Sequence, residues 1–116
     1  MIEMTLQEYF TSYYNIISKG NIEELDQYYH SAAPLMNAAK SQWESMRKQL
    51  DFTMTLTHVE LLAKQDDLLV VRDKMKFEGE VNGESVSKHS TNVHSLTKEN
   101  DEWKLFSTSN FPEVMV

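Results

Sequence analysis

Between Phe52 and Phe111 apolar and polar residues alternate in four long runs separated by short polar breaks. A period of two marks strands that bury one face. The sharpest break is Val81-Asn82-Gly83-Glu84, because Asn-Gly suits the two left-handed positions of a type I′ turn. Lys64–Asp67 and Lys98–Asp101 read as four-residue turns. The strands between them span roughly 10 to 14 residues, about twice the usual length. Strands this long predict strong twist and at least one β-bulge.

Before Phe52 the period becomes helical. Leu6, Phe10, Tyr13 and Ile17 recur at spacings of four, three and four, and Tyr9 and Ile16 widen the stripe. Thr5 with Glu8 forms a capping-box pattern, and Met4 with Tyr9 a hydrophobic staple. Gly20 is placed to end this helix in a left-handed conformation. Asn21 opens a second helix, with Ile22, Leu25, Tyr28 and Tyr29 on its buried side. Pro34 interrupts the pattern between His30 and Asn37. A third helix, capped by Ser41 with Glu44, carries Trp43, Met46 and Leu50 inward and ends near Asp51. The expected fold is α+β, with three N-terminal helices packed on a strongly curved antiparallel sheet in a single domain over 1–116.

The turns set a register. The Asn82-Gly83 loop pairs Val81 with Glu84, which puts Asp73 across from Asn92, Val71 from His94, Met75 from Ser90 and Leu69 from Leu96. A four-residue first loop puts His58 beside Asp73, Leu56 on Met75, Met54 on Phe77 and Leu62 on Leu69. A four-residue last loop puts Ser107 beside Asn92, Leu105 beside His94 and Trp103 beside Leu96. His58, Asp73, Asn92 and Ser107 then form one polar row across an apolar face. A one-residue slip in the first hairpin would exchange His58 for Val59, because it turns every side chain over. The opposite face carries Val59, Leu61, Val70, Val93 and Phe106 among Ser, Thr and Lys. With no helix left to cover it, that face is expected to form a homodimer.

Composition narrows the partners. The net charge is −7, and the chain has no basic cluster of the kind that nucleic acid or an anionic membrane requires. Without cysteine there is no disulfide framework, thiolate zinc site or catalytic thiol. No run reaches the roughly 20 apolar residues of a bilayer span. Met1–Thr5 lacks the basic start of a signal peptide. The expectation is a cytoplasmic protein. No metal site and no cofactor are expected, since no two histidines have helical ligand spacing and one Asp–His pair falls short of a ligand set.

Three helices followed by a long-stranded sheet resemble the NTF2-like superfamily, the α+β cone that includes ketosteroid isomerases and SnoaL-like proteins. The stretch Tyr13-Tyr14-Asn15-Ile16-Ile17-Ser18-Lys19-Gly20-Asn21 is similar to that family's opening helix and hinge. Tyr28-Tyr29-His30-Ser31 resembles the end of its second helix without the usual acids. Glu102-Trp103-Lys104-Leu105 resembles its final strand. The resemblance covers nearly the whole chain and implies a mostly apolar cavity between helices and sheet. Counted from Gly20, Tyr13 matches the tyrosine of the isomerase oxyanion hole, Asn37 its general base and Asn92 its strand Asp. An amide accepts no proton at neutral pH, so the resemblance implies the cavity without the steroid reaction. A His–Asp pair beside a helix-one Tyr resembles the dehydratase members.

Asp73 is the most telling residue. Burial raises a carboxyl pKa unless donors or a cation offset the desolvation. Asp73 with His58 or His94, helped by Tyr13, is the candidate catalytic set for proton transfer in an isomerase or lyase. Asn92, His94, Ser107, Trp103, Met75 and Asn37 are the candidate contacts to a small apolar or aromatic ligand. The competing reading is a non-catalytic association module in which these polar groups satisfy one another.

Overall fold

The computed structural model describes residues 5–112, with the side chains of 34–37 and 112 outside the described set. Helix α1 (Leu6–Ser18) starts as the sequence predicts. The Thr5 hydroxyl accepts the Glu8 N–H at 3.1 Å and donates to the Glu8 carboxylate. Met4, half of the expected staple, lies outside the described residues. The buried stripe is wider than expected, adding Tyr14 and Ser18 to Phe10, Tyr13, Ile16 and Ile17. The helix end also differs: Gly20 has no positive φ, and Lys19 is the C-cap. Glycine is there for space, since a Cβ at position 20 would lie 2.8 Å from the Ile16 Cα.

Two α-helices and a 3-10 helix stand where three helices were expected. Asn21 does cap, accepting the Glu23 N–H at 3.1 Å, but it opens the 3-10 helix Ile22–Gln27. Its buried residues, Ile22 and Leu25, are three apart, the spacing that a 3-10 helix stacks on one side. Helix α2 (Pro34–Gln49) begins well before Ser41, with Ala33 as N-cap. Pro34 therefore starts a helix, where its missing N–H costs nothing. Arg47 on α2 donates to the Gly20 carbonyl at 2.6 Å, placing a cation at the C-terminal end of α1.

The sheet is an antiparallel meander of β1 (Phe52–Gln65), β2 (Leu68–Val81), β3 (Glu84–Glu99) and β4 (Glu102–Pro112), in the order β1-β2-β3-β4. It is open and not strongly curled. The β2–β3 register is the expected one throughout, and Asn82 (φ 54) and Gly83 (φ 81) form its turn. The flanking hairpins differ. Gln65 pairs with Leu68 and Glu99 with Glu102, so both loops are two residues long. Asn100 and Asp101 both take positive φ.

Three register shifts follow, leaving Thr57 and Leu62 on β1 and Phe106 on β4 without a partner residue. Leu56 still meets Met75 and Met54 meets Phe77, but Val59 takes the place expected of His58 opposite Asp73. Lys64, not Leu62, meets Leu69. Leu62 is 48 % exposed and has left the core. On β4, Asn110 pairs with Asn92, Thr108 with His94, Leu105 with Leu96 and Trp103 with Lys98. Val59 and Leu61 share the parity of Asp73 and belong to the inner face, which removes two of the five apolar residues expected outside.

The core lies between α1 and the inner sheet face, where Phe10, Ile17, Leu25, Val71, Leu96 and Leu105 are fully buried. One polar tie registers helix against strand. The Ser18 hydroxyl donates to the Tyr14 carbonyl and accepts the Met54 N–H, both at 2.8 Å. At the β4 edge, the Leu105 N–H donates to the Tyr28 carbonyl at 2.7 Å and the His30 N–H to the Leu105 carbonyl at 2.9 Å.

Candidate functional site

Asp73 is fully buried at the centre of the inner face and accepts from three directions. Across the ladder, the Asn92 amide donates to Oδ1 at 3.0 Å. Two residues further along β3, His94 Nε2 lies 2.5 Å from Oδ2. From α1, the Tyr14 hydroxyl donates to Oδ2 at 2.8 Å. The second Asn92 N–H donates back to the Tyr14 oxygen at 3.0 Å, closing a ring of hydrogen bonds. Two β4 residues form the outer links: Thr108 Oγ1 lies 2.8 Å from His94 Nδ1, and the Asn110 amide donates to Asn92 Oδ1 at 2.6 Å. Phe10 stacks on the imidazole, with centroids 4.6 Å apart and planes 26° apart.

Proton inventory assigns the roles. A carboxylate only accepts, so Nε2 carries the hydrogen that faces Asp73. Burial, followed by the neighbouring Asp73 charge, drives the Tyr14 pKa far up, so Tyr14 remains a donor. Every polar atom of Asp73 and Asn92 thus has a protein partner. Chemically the set joins a hydroxyl donor, a carboxylate and an imidazole, the parts of a proton relay. Among the described residues, no third His, Cys, Asp or Glu joins this pair to make a metal-binding cluster.

The site retains Asp73, Asn92 and His94 from the expected set and exchanges the rest. His58 lies on the outer face, with its Nε2 3.7 Å from Glu60 and a half-exposed side chain. Glu60 is also bound by Arg72, whose Nε donates at 2.6 Å and which holds the Glu60 carboxyl below its usual range. Tyr13 points away from Asp73, its hydroxyl 3.0 Å from that of Tyr29 in a buried pair. Tyr14, one residue on, makes the contact to Asp73 in place of Tyr13. Ser107 pairs with Ser95 on the exposed side, their hydroxyls 2.5 Å apart. Met75 is a core residue, and Trp103 carries the Lys98 ammonium 5.2 Å from its ring centroid, remote from the row. The Asn37 side chain lies outside the described residues. Tyr14, Thr108 and Asn110 were missed. The i, i+4 spacing of Phe10 and Tyr14 was a usable signal for the first, but only the unpaired Phe106 brings the other two into phase.

The interior around Asp73 is packed shut. His94 is 1 % exposed and Asn92 3 %, and three depressions lined by described residues lie at the surface. The largest of these, about 520 Å³, lies where the ends of α1 and α2 meet β1, lined by Lys19, Arg47, Lys48 and Asp51 among others. A smaller one of about 170 Å³ lies between Gln7 on α1 and Leu56–Val59 on β1. Among the described residues, no helix is long and apolar enough to cross a membrane.

Comparison with known proteins fits this architecture. The profile of the family described as the C-terminal domain of anti-sigma-I factor RsgI9 matches residues 9–115. No curated protein matches the chain in sequence. Among solved structures, a candidate dehydratase of the NTF2-like family from Streptomyces avermitilis superposes with a TM-score of 0.75 at 14% identity, covering 94% of this chain and 96% of that one. Bd1075 from Bdellovibrio bacteriovorus superposes with a TM-score of 0.77 at 15% identity, over 96% of this chain but 40% of its own. The intermembrane-space region of the chloroplast protein ARC6 gives 0.69 at 12% identity, over 97% of this chain and all of its own. At these identities the likeness is one of fold, and the fold is NTF2-like.

Proposed function

Because this chain belongs to the family of the anti-sigma-I factor RsgI9 C-terminal domain, we propose that it is a small-molecule-binding domain whose ligand engages Tyr14, Asp73 and His94 beneath α1. The observation that carries this reading is the concentration of a hydroxyl donor, a carboxylate and an imidazole on the inner face of the sheet. Apolar residues of similar volume would pack that space at no desolvation cost, so a buried polar cluster is weak evidence for a purely stabilising role. The candidate dehydratase on the same fold supports proton transfer, as an isomerase or lyase, as the chemistry these groups would perform. A family described by an anti-sigma factor supports a regulatory setting, in which occupancy of the site is read as a signal.

A thermal-shift screen of small aromatic alcohols and carbonyl compounds tests the proposal, run on the protein and on Asp73→Asn. A ligand of this site stabilises the parent and loses most of that effect in the variant. A ligand that stabilises both equally binds elsewhere.

The packed interior favours a second reading, a non-catalytic association module. There the Asp73 ring only locks α1 to the sheet, and the outer face, with Val70, Val93 and the exposed Phe111, meets a second copy. A folded protein whose screen returns no ligand lost on Asp73→Asn, and which sediments as a dimer, supports this alternative.

A further inference from the structure

The buried ring of polar groups and the small cleft beside it share one stripe of α1. Gln7, Phe10 and Tyr14 stand at i, i+3 and i+7, one face of a helix. Gln7 borders the cleft, Phe10 stacks on His94, and Tyr14 donates to Asp73. The opposite wall of the cleft is Leu56–Val59, the stretch of β1 that carries the unpaired Thr57. Its last residue, Val59, pairs directly with Asp73. Val59 thus lines the cleft and faces Asp73, and Phe10 stands on the α1 stripe between Gln7 at the cleft and Tyr14 at the site.

The two halves of α1 are held differently. Tyr14 and Ser18 tie the second half to the sheet, and Arg47 holds its end. In the first half, the polar ties to another element both run to Tyr28: the Tyr9 hydroxyl donates to its carbonyl at 3.3 Å, and the Ser12 side chain bonds its hydroxyl. Apolar packing of Leu6 and Phe10 supplies the rest. The half that carries Phe10 is thus the half with fewer directional bonds to lose on opening.

We propose that the cleft between Gln7 and Leu56–Val59 is the mouth of the ligand site, and that Phe10 is its gate, holding the place on the His94 ring that a single-ring aromatic ligand takes when it binds. The cleft's 170 Å³ or so and the space vacated by a phenyl ring suit one aromatic ring, since a volume of about 150 Å³ holds a benzene-sized guest. A ring hydroxyl on the ligand would exchange hydrogen bonds with Tyr14 and Asp73. The inference rests on the small-molecule reading above.

Titration with p-cresol, followed by the amides of Gln7 and Thr57–Val59 and by the His94 ring resonances, tests it. The expected result is that cleft and ring signals shift together and saturate below about 10 mM, as a single-ring ligand of modest affinity requires. Phe10→Leu relieves the closed state and lowers Kd by about tenfold, and Val59→Phe fills the mouth and abolishes binding. Thermal unfolding establishes that each variant is folded, and the two variants move affinity in opposite directions, so the loss of one leaves the other decisive. Shifts confined to the cleft amides overturn the proposal, as does the absence of saturable shifts. Ring shifts at His94 without cleft shifts, insensitive to both variants, also overturn mouth and gate, while leaving a ligand at Asp73 intact.

Discussion

Asp73 fixes what its neighbours must be. Removing one partner of a buried pair leaves the other unsatisfied and costs about 3–5 kcal/mol. His94→Ala is expected to lose that much in urea unfolding, because it removes the imidazole contact to the buried Asp73 carboxyl. His58→Ala is expected to change stability by no more than about 0.5 kcal/mol, as a surface substitution does. Equal losses in the two variants would contradict the assignment of roles. Tyr14→Phe removes both a donor to Asp73 and an acceptor for Asn92 and should cost about 1–3 kcal/mol. At the surface, Ser31 donates to Glu99 and holds its carboxyl below the usual range. A depressed carboxyl pKa adds stability above its unfolded value and loses it as pH falls through the folded one. Carboxyl titration by NMR should therefore show the Glu99 midpoint rising in Ser31→Ala. Residue identity was legible where pairing was local: Asp73, Asn92 and His94 came from one two-residue turn. Tyr14 was not, since Tyr13 and Tyr14 are both buried, and the packing angle of α1 on the sheet decides which of them meets Asp73.

At the scale of elements, the flanking hairpins hold the lesson. Asn82-Gly83 announces its turn, and the whole β2–β3 register follows from it. Asn100-Asp101 makes a comparable left-handed turn without a glycine, and its polar flanks disguise a two-residue loop as a four-residue one. The extra residues on β1 and β4 then restore or invert phase in ways that alternation alone does not reveal, because a bulge shifts parity without breaking the pattern. That is why Val59 displaced His58 and Asn110 displaced Ser107. Ser18 binds two elements through one hydroxyl, so Ser18→Ala leaves the buried Met54 N–H unpaired and should cost about 1–3 kcal/mol in thermal or chemical unfolding. Loss of hydrogen-exchange protection at Met54 would identify that bond as the cause.

The whole molecule reads as an NTF2-like sheet with a polar locus under α1 and an outer face that no described helix covers. The order of elements and the two-faced sheet were visible in the alternation of residues, which persists whatever the register. The shut interior was not visible, because it depends on how far Phe10 and Tyr14 reach across α1. If the outer face pairs two copies, Val93→Asp should convert a dimer to a monomer in sedimentation velocity, since an unpaired carboxylate at the centre of an interface is strongly unfavourable. The central claim is that ligand and function meet at Tyr14, Asp73 and His94. It is tested most directly by the ring 15N and 1H resonances of His94, observed while a stabilising ligand from the thermal screen is added to the protein and to Asp73→Asn. The account predicts a saturable His94 shift that tracks the thermal stabilisation and disappears in the variant. Stabilisation with His94 unmoved would contradict it.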